Sequence, residues 1–371
     1  MIKFLIKKFL FPIFAALIVF ILMSHNAFLY HEPVGQIVEA KTIAVSPVTD
    51  NFANRDVQIT QILKIKMLNS SKKNQLLTLT NEADQSQVTG QIYRVGQQVL
   101  LRGTGNQSQI VGQKRDALMA ALLTLFIGLL IGFIRWRASL FLLLSLALNL
   151  LYFIGALIFD VNFAALNVIL IFGGLAVVFA ASSLLFVLGA TRQMLYTLLT
   201  TILTTLITFS LALVVISLTG ANGIHFEYLN YVTQNPTQFF FVGAIISVLG
   251  AIMDGTGDIV AGLFGLFRQN NLNDIRLKQG NYFKSGMAIG QEIIGTLTNV
   301  LFMIFMAETF PMTLLLLRNG NSWSYIATIG LNLGLLQTII SAIGIVLAVP
   351  ITAFVTSFGL THAESKRGVV K

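Results

Sequence analysis

Two aspartates, Asp254 and Asp258, lie inside the apolar run SVLGAIMDGTGDIVAGLFGLFRQ, residues 247–269, which is long enough to cross a bilayer and is closed by Arg268. A carboxylate at the centre of a membrane helix costs roughly 2.5–3.5 kcal/mol on insertion scales, unless it is protonated, paired or turned toward a polar cavity. At 3.6 residues per turn, Gly250, Asp254, Gly257, Asp258 and Ala261 share one helix face. The next apolar segment, SGMAIGQEIIGTLTNVLF, repeats this spacing with Ala288, Glu292, Gly295, Thr296 and Asn299. Small residues let helices approach while side-chain hydrogen bonds satisfy buried polar groups, so the two stripes are expected to face each other. Counting from the helix ends places Asp258 near the depth of Glu292, and Asp254 near Thr296 to Asn299.

Three chemistries suit such acids. No Lys, Arg or His lies mid-helix to neutralise them, and a carboxyl that gains and loses a proton at that depth is what a proton- or cation-coupled transporter needs. In the second reading the acids only hydrogen-bond helices together, in a structural or assembly protein. The third comes from GTGD, residues 255–258, which matches the GxGD signature of intramembrane aspartyl proteases. Those enzymes need a second Asp on a neighbouring helix to share a proton and activate water. Here Asp254 is on the same helix, only Glu292 could substitute, and the Pro-Ala-Leu motif is missing. Enzymatic activity is therefore not expected. Asn149 and Asn167 read as helix-bridging amides, and His225, Glu227 and Glu308 as outer-surface groups, His225 with Glu227 being a candidate titrating gate.

The elements that must position these residues follow from composition. The chain has 371 residues, 55% hydrophobic and only 11% charged, against about 25% charged in soluble domains, so the partner it needs first is a lipid bilayer. The net charge is +9 but the cations are dispersed, which argues against nucleic acid. With no Cys and four scattered His (25, 31, 225 and 362), no metal-ligand spacing appears. GxxxxGK[ST], HExxH and GxSxG are all missing, so neither ATP-driven transport nor a cofactor is expected.

Residues 1–30 carry Lys3, Lys7 and Lys8 before an apolar run of about twenty residues, too long for a secretory h-region; they read as an uncleaved first transmembrane helix. Residues 31–115 turn polar and β-like, with strands expected at DVQITQILKIKML and QLLTLT and a turn-strand at YRVGQQVLLRG. Residues 116–358 hold seven further apolar segments, near 117–134, 138–158, 163–188, 194–218, 238–265, 287–308 and 325–358, the last overlong and containing Pro350, so that a kinked or re-entrant portion is an open alternative. Residues 359–371 are left as a tail. The fold class is thus an α-helical polytopic membrane protein of about eight transmembrane helices with a small all-β domain between the first two. Arg135, Arg137, Arg192, the cations from Arg268 to Lys284, and Lys366, Arg367 and Lys371 fall on one side, whereas the loops near Asp160 and from Gly220 to Pro236 carry none and that near Pro311 only Arg318. The positive-inside rule then places both termini in the cytoplasm and residues 31–115 outside a plasma membrane.

The segments LGAIMDGTGDIVAGL and SGMAIGQEIIGTLTNVLFMIFMA together resemble the paired core signature of the YibE/F family of multispanning bacterial membrane proteins, approximately G-A-x-M-D-V and then G-x-x-I-G-x-[DE]-I-x-G-T-x-T-N. The matching positions are Asp254, Glu292, Gly295, Thr296, Thr298 and Asn299, and the resemblance extends from about Val34 to Phe358. The departures fall at Gly255 to Asp258, where the family usually has an aliphatic residue after the first Asp and Ser or Thr in place of the second. The resemblance implies an integral membrane protein, often encoded as paired relatives, and hence a paralogous subunit or a homo-oligomer as partner; it implies no substrate. In layout alone, one helix, an exoplasmic domain and then helices with a central acid also resembles half of a resistance-nodulation-division transporter.

Overall fold

Near-alternating Ile, Val, Leu and Thr draw the segment after the first helix into strands. In the computed structural model, which describes residues 2–70, 73–103, 108–163, 167–229, 235–273 and 275–368, helix α1 (Ile2–Ser24) precedes strands β1 (Val34–Thr49), β2 (Arg55–Met67), β3 (Leu76–Asp84), β4 (Gln98–Arg102) and β5 (Gln109–Gln113). They form one antiparallel sheet in the order β3-β2-β1-β4-β5. The expected strands are β2, β3 and β4; β1 and β5 add to them. Ile37, Leu63, Ile65, Met67, Leu79, Tyr93, Val99 and Leu101 close its core. β1 is irregular, with register shifts against β2 between Ile37 and Glu39 and between Thr42 and Ala44. Its other edge pairs with β4 only over Val34–Gln36, so from Glu39 onward that edge has no strand partner among the described residues.

The sheet is tied to the ends of α1 and of α2 (Asp116–Phe133). Lys114, its side chain 2% exposed, pairs with Asp116 at 2.8 Å and donates to the Met23 carbonyl at 2.8 Å. Asn26 donates to the other Asp116 oxygen at 2.9 Å, and Gln98 to the Ser24 carbonyl at 2.7 Å. Burial first, then the hydrogen bond and charge of Asp116, push the Tyr30 phenol up to about 12. Gly128 of α2 seats Pro12 of α1, since a Cβ there would lie 2.8 Å from the proline ring. Buried Asn69 stitches the entry to β1: its Oδ1 accepts from the Val34 N–H at 2.7 Å and its Nδ2 reaches the carbonyls of Ala27, Tyr30 and Glu32 at 2.9–3.0 Å. Asn69→Leu is expected to cost about 3 kcal/mol or more, because it leaves these backbone groups buried and unpaired. Faster proteolysis of residues 28–115 in the full chain would show it; unchanged proteolysis would refute the assignment.

The remaining helices are α3 (Trp136–Asn162), α4 (Val168–Leu188), α5 (Arg192–Leu218), α6 (Pro236–Leu272), α7 (Gln279–Arg318), α8 (Trp323–Ile326) and α9 (Asn332–Gly368). Side chains cap several starts: Asn167 accepts from Ile169, Thr191 from Met194, and Asn235 from Thr237 with Pro236 in the first turn. Among the described residues seven helical stretches are long and apolar enough to cross a membrane, and α1 adds the shorter apolar stretch Lys8–Ser24. The chain is a membrane protein.

Several boundaries move from those expected. α6 and α7 have 37 and 40 residues, hence about 55 and 60 Å at 1.5 Å per residue, against a hydrocarbon core of about 30 Å. Pro311, expected near a loop, is inside α7. The last apolar segment is helical throughout: α8 runs through a π-helical turn, Ala327–Leu331, into α9, which carries Pro350 in its interior. α9 also continues past residue 358, because Leu360 is buried with Ile259, Leu263, Tyr282 and Val349, so the expected tail begins as helix. The side chains of Lys3, Lys7, Lys366 and Arg367, all of Lys371 and part of the Gly220–Pro236 loop lie outside the described residues.

Candidate functional site

Helix α6 buries one broad face. Val248, Ile252, Thr256, Val260 and Leu263 are each at most 1% exposed, packed by α5, α7 and α9. The acids are on what remains. Asp254 falls at the midpoint of α6, and both it and Asp258 are exposed to a groove of about 500 Å³. Gly257 and Ala261 form its floor, Ser183 and Val187 of α4 one wall, Leu297 of α7 the other, and Gln193 of α5 closes one end. Ser183 is held in place by Asn149, which donates to it at 2.7 Å and accepts from Ser182 at 2.8 Å. That is the bridging role expected for Asn149. Asn167, by contrast, is the N-cap of α4 rather than a bridge.

Gly257 leaves the groove floor low: a Cβ there would lie 4.0 Å from the Thr197 methyl of α5. Among the described residues no hydrogen bond or ion pair reaches Asp254 or Asp258, and no group of three or more His, Cys, Asp or Glu is placed to hold a metal ion. A groove with two carboxyls, a hydroxyl, a carboxamide and aliphatic walls suits a proton or a small cation.

The α7 stripe is arranged differently from the expectation. The α6–α7 seam is made by glycines and aliphatic side chains. Gly262 seats Ile289, with a Cβ position 2.7 Å from its Cδ1, and Gly255 seats Leu297 at 3.5 Å. This interlock keeps apolar surface together and leaves both polar stripes on the flanks of the seam. Glu292, Gly295, Thr296 and Asn299 are exposed, and Thr298 is half-buried, its hydroxyl oxygen buried without a partner among the described residues. Gly250 is exposed with open space around it. Asp254, Asp258, Gly257 and Ala261 are therefore brought together, whereas Glu292 is not in the groove that holds them. A motif passed over in the sequence organises the other side of α7. Gly286 and Gly290, a GxxxG pair, seat Ala353 and Val349 of α9.

On the loop between α5 and α6, His225 and Glu227 pair at 2.8 Å; the turn's own backbone N–H, then His225, hold the Glu227 carboxyl below its usual range.

The family model described as YibE/F-like protein matches residues 122–362, and that of the YibE/F family N-terminal domain matches residues 28–115. No curated protein and no solved structure matches the chain.

Proposed function

The chain belongs to the YibE/F family, and on that footing we propose that it is a proton- or cation-coupled secondary transporter of the bacterial plasma membrane, or the coupling subunit of an export machine. The observation that carries this reading is the pair of carboxyls at the middle of α6, open to a groove and unpaired among the described residues. Ionisable side chains inside membrane helices face cavities or partners and mark ion and proton pathways. Asp254 and Asp258 load and release the coupling ion, with Gln193 and Ser183 as polar neighbours. No enzymatic step is assigned. The GTGD tetrad has its second Asp on its own helix, and Glu292 lies outside the groove.

The exposed Glu292 face favours a companion reading in which this surface is an interface. Glu, Gly, Thr and Asn in a row on a membrane helix suit a second transmembrane subunit, a paralogue or another copy, better than lipid. In the assembly, α7 then meets its partner through this row while the groove stays open beside it.

Because the chain has no Cys, single introduced thiols report access without background. Ala261→Cys is expected to react with a hydrophilic thiol reagent in intact membranes; complete protection would mean a dry interface and remove the transport reading. Gln75→Cys, at an exposed position of the sheet domain, is expected to label without permeabilisation. Labelling only after permeabilisation would reverse the proposed orientation, with both termini cytoplasmic.

A further inference from the structure

Helix α5 carries Thr197, Thr200, Thr201, Thr204, Thr205 and Thr208 on one face, all between 0 and 8% exposed. Helix α9 adds Ser341, Thr352 and Thr356, and α6 adds Thr256, each fully buried. A threonine in a membrane helix ordinarily donates to the carbonyl four residues back. Thr197, Thr200 and Thr205 do so, at 2.8–3.0 Å. Thr204, Thr208, Thr352 and Thr356 do not, and their buried hydroxyls have no partner among the described residues.

The helices that carry these four hydroxyls share one junction. Gly344 of α9 abuts the Thr208 methyl, 3.3 Å from its Cβ position, and Gly359 abuts Tyr196, so α5 and α9 run antiparallel and Thr352 and Thr356 fall alongside the stretch from Thr197 to Thr204. Thr201 of α5 bonds Thr256 of α6 at 2.7 Å in the middle of the row. Beyond Thr208, Ser341 meets Ser247 of α6 at 3.3 Å. At the other end, Thr197 donates to the carbonyl of Gln193, the residue that closes the acid groove, and its methyl lies beneath Gly257. From residue 341 to residue 356 the row spans about 22 Å, two-thirds or more of the hydrocarbon thickness.

Bound water is a common partner of buried hydroxyls that both donate and accept but meet no protein group, where the site is polar and has room for it. A row without carboxylates or carbonyl cages offers a metal cation too few ligands. We propose that the α5–α6–α9 junction holds a file of bound water that carries protons between the acid groove and the Ser247–Ser341 end, making the proton the coupling ion. This rests on the transport reading of the groove, and the experiment separates the two.

Radiolytic footprinting of the full-length protein in liposomes reads water directly, because bound water generates the radicals that oxidise adjacent side chains. Ile252 is fully buried and packs on Gly344 beside Thr208. It is expected to be oxidised in the wild type and at least about threefold less in T204V/T208V, whose side chains keep their shape but lose the hydroxyls that hold water. Proton flux under an imposed pH gradient is expected to fall about tenfold in T204V/T352V and to recover in T204S/T352S. An unmodified Ile252 in the wild type overturns the water file, even if Asp254-dependent transport persists. Equal flux in the valine and wild-type proteins overturns conduction through it. A wild type with labelled Ile252 and no flux sinks the transport reading and conduction together.

Discussion

Asp254→Asn is expected to give a folded, membrane-inserted protein whose pH-gradient-driven activity falls by on the order of 100-fold or more, because an amide keeps the shape and hydrogen-bonding capacity of the acid but has no proton to exchange near neutral pH. Asp254 is central in α6, unpaired among the described residues, and set over a floor of Gly257 and Ala261. Among the described residues no cation or hydrogen-bond donor is paired with its carboxyl, so packing there does not depend on the negative charge. Asp258→Asn is expected to fall less far, since Asp254 remains to load the ion. Glu292→Gln separates the two roles assigned to polar residues here: outside the groove, it is expected to weaken subunit association more than flux. Wild-type flux from Asp254→Asn in liposomes would refute the coupling role, and normal association of the Glu292→Gln protein would refute the interface.

Gly290→Leu is expected to be the most damaging single change to the membrane domain. The missing side chain of Gly290 is filled by Val349 of α9, whose Cγ2 and Cβ would lie 2.7 and 2.9 Å from an added Cβ. One turn away Gly286 seats Ala353 in the same way, at 2.8 Å. Overpacking a fitted core costs about 1–3 kcal/mol where neighbours can shift. Here the clash reaches the branch point of Val349, so α7 must leave α9 rather than adjust. Loss of the monodisperse peak in size-exclusion chromatography would show it. Gly290→Ala is expected to be milder and to be relieved by Val349→Ala, a coupling that independent sites would lack. A Gly290→Leu protein of unchanged thermal stability would mean the seat is not as close as described.

The acids, the helices and the sheet domain were all legible in the sequence, for physical reasons that also mark where legibility stops. Apolar length announces a membrane span, but it ends where side chains turn polar, whereas the helices do not: α6 and α7 run several turns beyond their apolar windows, and Leu360 still packs on Tyr282 past the expected end of α9. Periodicity assigned Asp254 and Asp258 to one face. It could not name the neighbour of that face, because two stripes of equal spacing look complementary on paper whether they interlock or lie side by side. The contact between α6 and α7 was decided by Gly262 and Gly255 accepting Ile289 and Leu297, a fit of shapes that spacing does not encode. The spacing of Gly286 and Gly290 was a readable signal for the α7–α9 seat. The threonines of α5 were readable too, but their burial depends on α9, more than a hundred residues away.

The open edge of β1 bears on what happens when many copies crowd one surface. A bare strand edge invites the same strand from a neighbour, the opening move of a cross-β stack. In β1 that templating is interrupted repeatedly. Pro47 offers no N–H to a newcomer, Glu39 and Lys41 put charges on the strand, and the register shifts at Ile37/Glu39 and Thr42/Ala44 break it. The register itself runs unbroken over the six residues Ala44–Thr49, but Pro47 divides them, which leaves Glu39–Thr42 as the longest run with every N–H in place, shorter than the six or seven residues that fibril-forming segments use. Exposed Ile43 and Val45 are thus marooned on fragments too short to propagate, and neighbouring sheets stay discrete at high density.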